Sequence, residues 1–101
     1  MSRKQTKRER IEAVINKHKK DITKKYQVKE IGVFGSYVRG EQGGASDVDI
    51  LVEYDVVPDM FKFLELERYF EEILGMKVDL VRKEAIREEL RDSILSEVVY
   101  V

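Results

Sequence analysis

The chain has 101 residues, with 19 Lys/Arg against 20 Asp/Glu, one proline and no cysteine. That length supports one small domain with a single core, spanning residues 1–101, and the missing thiols exclude a disulfide framework and a thiolate zinc site. The charged N-terminus lacks the apolar segment of a signal peptide and no apolar run is long enough to span a bilayer, so a cytoplasmic location is expected.

Charge is nearly balanced overall but unevenly divided. Residues 1–30 carry eleven Lys/Arg and four Asp/Glu, and the remainder carries eight and sixteen. A basic leading helix is a contact for nucleic acid or an acidic partner. A solvated helix face beside an acidic domain is the plainer reading, and few aromatics interleave to stack on single strands.

Taken in order, residues 4–26 place Ile11, Val14, Ile15 and Ile22 on one helical stripe, with His18 on the same face. His18, the only histidine, is expected at the edge of the core and not as a metal ligand. Residues 30–35, with Ile31, Val33 and Phe34, read as the first strand. Residues 36–40 then make a short helical turn, and Gly43, Gly44 and Ala45 make a flexible loop before a second strand at 47–54. Pro58 fits the first turn of a helix that runs to Leu74, with Met60, Phe63, Leu64, Phe70, Ile73 and Leu74 expected in the core. Gly75 suits its C-terminus. Residues 76–81 read as a third strand, and residues 83–95 as a last helix with Ile86, Leu90, Ile94 and Leu95 inward. The apolar tail at 98–101 either docks on the domain's own core or forms a contact surface. Strands alternating with helices, without an internal repeat, indicate an α/β (α+β) sheet covered by helices.

The chemistry concentrates in residues 32–54, GVFGSYVRGEQGGASDVDILVEY. Successive strand side chains point to opposite faces, so Asp47 and Asp49 share one face, roughly 6.5 Å apart at Cα. Val48, Ile50, Val52 and Tyr54 fall on the other face. Two carboxylates so placed can chelate hard divalent cations, which take oxygen ligands. Upstream, Gly35 and Ser36 supply a backbone turn and a hydroxyl of the kind that grips phosphate where a strand passes into a helix. Each part has a bland alternative: Gly-Ser as an ordinary turn, Asp-x-Asp as a solvated strand end. Their order within one short unit is what indicates a nucleotide site.

The Gly-Ser-x10-Asp-x-Asp pattern resembles the signature of the DNA polymerase beta-like nucleotidyltransferase superfamily. Ser36-x-x-Arg39-Gly40 and Ser46-Asp47-Val48-Asp49-Ile50-Leu51-Val52 are similar to its minimal nucleotidyltransferase (MNT) branch. Tyr37, where many relatives carry a basic residue, and the Gly-rich 41–44 segment depart from the pattern. The resemblance implies the nucleotidyltransferase fold, a small mixed β-sheet flanked by helices. It also implies a third carboxylate, Asp79, on the strand next to the Asp47–Asp49 strand. By the same resemblance, Asp47, Asp49 and Asp79 hold two Mg²⁺, and Gly35, Ser36 and Arg39 bind the phosphates of ATP, although a structural salt bridge is an alternative role for Arg39.

Relatives of this kind are often paired with a helical HEPN ribonuclease toxin and act as its antitoxin by moving AMP from ATP to a toxin tyrosine. That is the function the resemblance implies, with a homo- or hetero-oligomer as the working form. The alternatives are a non-catalytic subunit that neutralises a partner by binding, and an enzyme acting on a small-molecule hydroxyl.

Overall fold

The computed structural model describes residues 6–40 and 47–101, so the expectations for residues 1–5, the Gly-rich segment and Ser46 lie outside the described residues. The first helix starts on a reciprocal cap. Thr6 Oγ1 accepts the Glu9 N–H, and Glu9 Oε1 accepts the Thr6 N–H, each at 3.1 Å, which satisfies two donors that a helix start leaves open. Helix α1 (Lys7–Tyr26) buries Ile11, Ile15, Ile22 and Tyr26. His18 is half-buried, with Nδ1 3.2 Å from the Tyr69 hydroxyl, at the core's edge as expected. Gln27 ends the helix in a left-handed conformation.

Strand β1 (Val28–Phe34) begins two residues before the expected start, because Val28 already pairs with Tyr54. A single helical turn, α2 (Ser36–Arg39), follows, and its Tyr37 is buried in the core. Strand β2 (Val48–Tyr54) runs antiparallel to β1. Helix α3 (Met60–Leu74) is capped by Asp59, whose carboxylate accepts the Lys62 N–H at 2.8 Å. Pro58 therefore lies before the helix and not in its first turn, since an aspartate is a strong N-cap. Leu66 and Phe70 are fully buried. Met60 and Leu64, expected in the core, are exposed, because the 3.6-residue period sets them well to the side of the Leu66–Phe70 stripe.

Strand β3 (Val78–Arg82) lies parallel to β2, with α3 as the crossover that a parallel pair requires. The expected last helix is broken in two. A 3₁₀ turn (Lys83–Ala85) is followed by extended backbone at Ile86 and then α4 (Glu88–Glu97). The break lets Ile86 pack with Phe34 and Leu51, while Leu90, expected inward, is exposed. The apolar tail docks on the domain itself: β4 (Val99–Tyr100) pairs with β1, and the Val101 N–H donates to the Ile31 carbonyl at 2.9 Å. Gly32 makes that edge possible, since a Cβ there would overlap the Val98 side chain.

The sheet order is β3-β2-β1-β4, a small mixed sheet as expected. Val48, Ile50, Val52 and Tyr54 face the larger core with residues of α1 and α3. Leu51 faces the other side, with Phe34, Ile86 and the inward residues of α4. Asp49, two residues before Leu51, shares that second face. Among the described residues, no helix is long and apolar enough to cross a membrane.

Candidate active site

Strand alternation carries one carboxylate to the second face, and the β2–β3 ladder brings another beside it. Asp49 and Asp79 are direct Cα partners in that parallel ladder. Asp47 stands just ahead of β2, exposed, and Asp79 is also exposed, on an edge strand. Asp49 is the enclosed member of the three, lying on β2 between β3 and the end of β1, where Phe34 is its ladder partner.

Gly35 follows Phe34 directly and forms the wall against Asp49. Its φ of 81° and ψ of −151° fall in a region that essentially only glycine occupies. A Cβ here would overlap Asp49 Oδ2 and come 2.9 Å from Cγ. The glycine serves backbone geometry and carboxylate placement together. The Val38 and Arg39 N–H groups both return to the Gly35 carbonyl, at 3.0 and 3.1 Å, and close the turn. Ser36 is half-buried at its start, and Arg39 is on the exposed side.

The electrostatics record the crowding. Burial, then the neighbouring charges of Asp79 and Asp47, push the Asp49 carboxyl up to about 6, with Arg39 pulling the other way and Glu97 adding to the rise. Among the described residues, no three acidic side chains converge on one metal-binding point. The cluster is crowded enough to perturb Asp49 without its carboxylates converging. The oxygen-only donor set and the raised pKa of Asp49 fit a hard divalent cation, which takes carboxylate ligands and would relieve the repulsion.

The six residues expected at the site, Gly35, Ser36, Arg39, Asp47, Asp49 and Asp79, thus gather at the end of the sheet where β2 and β3 begin and β1 ends. One neighbour was not expected. Glu97, the last residue of α4, accepts the Gly35 N–H at 2.6 Å and pairs with Arg39 Nη1 at 2.9 Å. It belongs to no sequence motif, and at 62 residues from Gly35 no local pattern signals the contact. An apolar cleft lined by Pro58, Met60, Phe63, Leu80 and Ala85 lies where β2 and β3 finish, at the opposite end of the sheet from these carboxylates.

Comparison with known proteins finds relatives across most of the chain. The family described as Nucleotidyltransferase domain matches residues 15–101. The protein adenylyltransferase MntA of Thermococcus cleftensis is 50% identical over 93 residues, which cover 92% of this chain and 94% of that protein. Among solved structures, a minimal nucleotidyltransferase superimposes with a TM-score of 0.71 at 30% identity, over 89% of this chain and 87% of the other. A mutant of an MntA toxin–antitoxin pair gives a TM-score of 0.69 at 26% identity, over 89% of this chain and 69% of the other.

Proposed function

The chain belongs to the nucleotidyltransferase-domain family, and on that premise we propose that it transfers AMP from ATP to a tyrosine hydroxyl of a HEPN-type toxin partner, so acting as an antitoxin. The enzyme class follows from the family. The protein acceptor is supported by the likeness to a protein adenylyltransferase across nearly the whole chain, and the toxin by the likeness to a toxin–antitoxin pair together with the MNT-like motif.

The observation that carries the reading is the pairing of Asp49 with Asp79 on adjacent parallel strands, hard against the Gly35 turn. In this proposal Gly35 N–H, the Ser36 hydroxyl and the Arg39 guanidinium hold the β- and γ-phosphates and so present the α-phosphorus to the acceptor. Asp47, Asp49 and Asp79 are the ligands of two Mg²⁺. When bound, such ions stabilise the attacking and leaving oxygens of an in-line displacement. The acceptor oxygen forms a bond to the α-phosphorus, the bond to the bridging oxygen breaks, and pyrophosphate leaves. Asp79, exposed on the edge strand, faces an incoming hydroxyl and helps take its proton.

The test is intact mass spectrometry of this protein with a HEPN-type partner encoded beside it, incubated with ATP and Mg²⁺. An Asp47→Ala/Asp49→Ala variant runs in parallel. The expected result is an AMP-sized addition on the partner that the variant does not produce. Tight binding without any mass change would replace transfer with neutralisation by complex formation.

A further inference from the structure

Two of the three groups assigned to the polyphosphate, the Gly35 N–H and the Arg39 guanidinium, already hold an anion that the chain itself supplies. Glu97 Oε1 accepts the Gly35 N–H at 2.6 Å and Arg39 Nη1 at 2.9 Å, and Glu97 Oε2 lies 3.2 Å from the same guanidinium nitrogen. One carboxylate oxygen bridging a backbone N–H and an arginine reproduces the contacts of a phosphate oxygen. We propose that Glu97 is an internal stand-in for the nucleotide's phosphates, a latch that must leave the Gly35–Arg39 cradle before ATP can occupy it.

The placement is costly for a residue whose only task is structural. Glu97 closes α4, and a negative side chain at a helix C-terminus opposes the helix dipole. It also adds its charge to the crowding at Asp49. Among the described residues, the cationic and N–H cradle offsets these penalties, and a polyphosphate carrying more charge competes for that same cradle. Glu97 is only partly buried, and its neighbour Ser96 is exposed. The following Val98 starts the segment that pairs with β1 through Val99 and Tyr100. The latch therefore links nucleotide occupancy to the last turn of α4, which packs on the same sheet face as Asp49.

This inference rests on the nucleotide site proposed above, and binding measurements separate the two. The full chain is titrated with a non-hydrolysable ATP analogue and Mg²⁺, and separately with inorganic tripolyphosphate, as wild type, Glu97→Gln and Glu97→Asp. The glutamine variant is expected to bind both probes on the order of tenfold more tightly, the size of one charge-assisted contact. The aspartate variant keeps the charge but shortens the reach, so it is expected to bind more tightly than wild type as well. Hydrogen exchange on the wild type provides a readout independent of any variant's folding: adding the analogue should speed exchange in residues 93–101. Wild-type binding with no gain in Glu97→Gln, or slower exchange in 93–101 on binding, overturns the latch and leaves the nucleotide site standing. Failure of wild type and both variants to bind either probe removes the nucleotide site, and the latch with it.

Discussion

Asp49 and Asp79 face each other across the parallel β2–β3 ladder, and burial together with the neighbouring carboxylates pushes the Asp49 pKa up to about 6. A cation site that forms only when occupied would show this signature. Its sign fixes the first prediction. A carboxyl raised from 3.8 to about 6 in the folded state favours folding below about pH 4, and that contribution is lost as pH rises through about 6. In chelator at pH 8, Asp49→Asn should therefore melt higher than wild type. Because the group is half-exposed, we expect about 1 kcal/mol after solvent screening, or roughly 4–8 °C for a domain this size. The gap should close near pH 4. Thermal melts across pH decide it, and a variant less stable at pH 8 would contradict the crowding account.

Magnesium should act on the same repulsion. Millimolar Mg²⁺ is expected to raise the melting temperature of the wild type and to have little effect on Asp49→Asn, which retains one carboxylate fewer at the enclosed position. Differential scanning calorimetry with and without the cation is the measurement. Equal shifts in the two proteins would place the cation elsewhere.

Gly35→Ala probes the wall of the site. The alanine methyl would overlap the Asp49 carboxylate and force a non-glycine residue into the conformation at φ 81°. The backbone term alone costs about 1–3 kcal/mol, and the displaced carboxylate should abolish AMP transfer even in protein that remains folded. Circular dichroism melts combined with the mass assay separate the two effects. A folded and fully active variant would remove Gly35 from the phosphate grip.

Two of the four aromatics of α3 make a contrasting pair. Phe70 is fully buried and Phe61 is 84% exposed. Phe70→Ala should cost about 3–5 kcal/mol through lost burial and a cavity, a large part of the 5–15 kcal/mol (roughly) that holds a domain together. Phe61→Ser should change stability by no more than about 0.5 kcal/mol. Urea denaturation measures both, and a strongly destabilised Phe61→Ser would show that this face is covered in solution.

At the sheet edge, Gly32→Val should expel Val98 and loosen β4, because the added carbons meet a side chain already in contact. Overpacking of this kind costs about 1–3 kcal/mol. Faster hydrogen exchange at Val99 and Tyr100 is the expected readout, and unchanged protection would show that β4 adjusts without detaching.

The sequence by itself determined the elements whose signal is local. The stripe of α1 and the alternation of β2 are periodicities that a short window contains, and the two-residue period alone sets Asp49 opposite Val48, Ile50 and Val52. The motif that resembles the nucleotidyltransferases was legible for the same reason, since its parts lie within one stretch of residues 32–54. Tertiary structure decided what depends on distant neighbours. No local periodicity places β3 beside β2; the resemblance implied that adjacency, and the register of Asp79 with Asp49 came only with the sheet. Likewise, the break before α4, where buried Ile86 packs with Phe34 and Leu51, was set by packing that overrides helix periodicity. Met60 is exposed because it lies well to the side of the Leu66–Phe70 stripe by which α3 docks in the core. Glu97 is the clearest case, because a carboxylate with no motif around it reaches the Gly35 turn only after α4 has docked across the sheet.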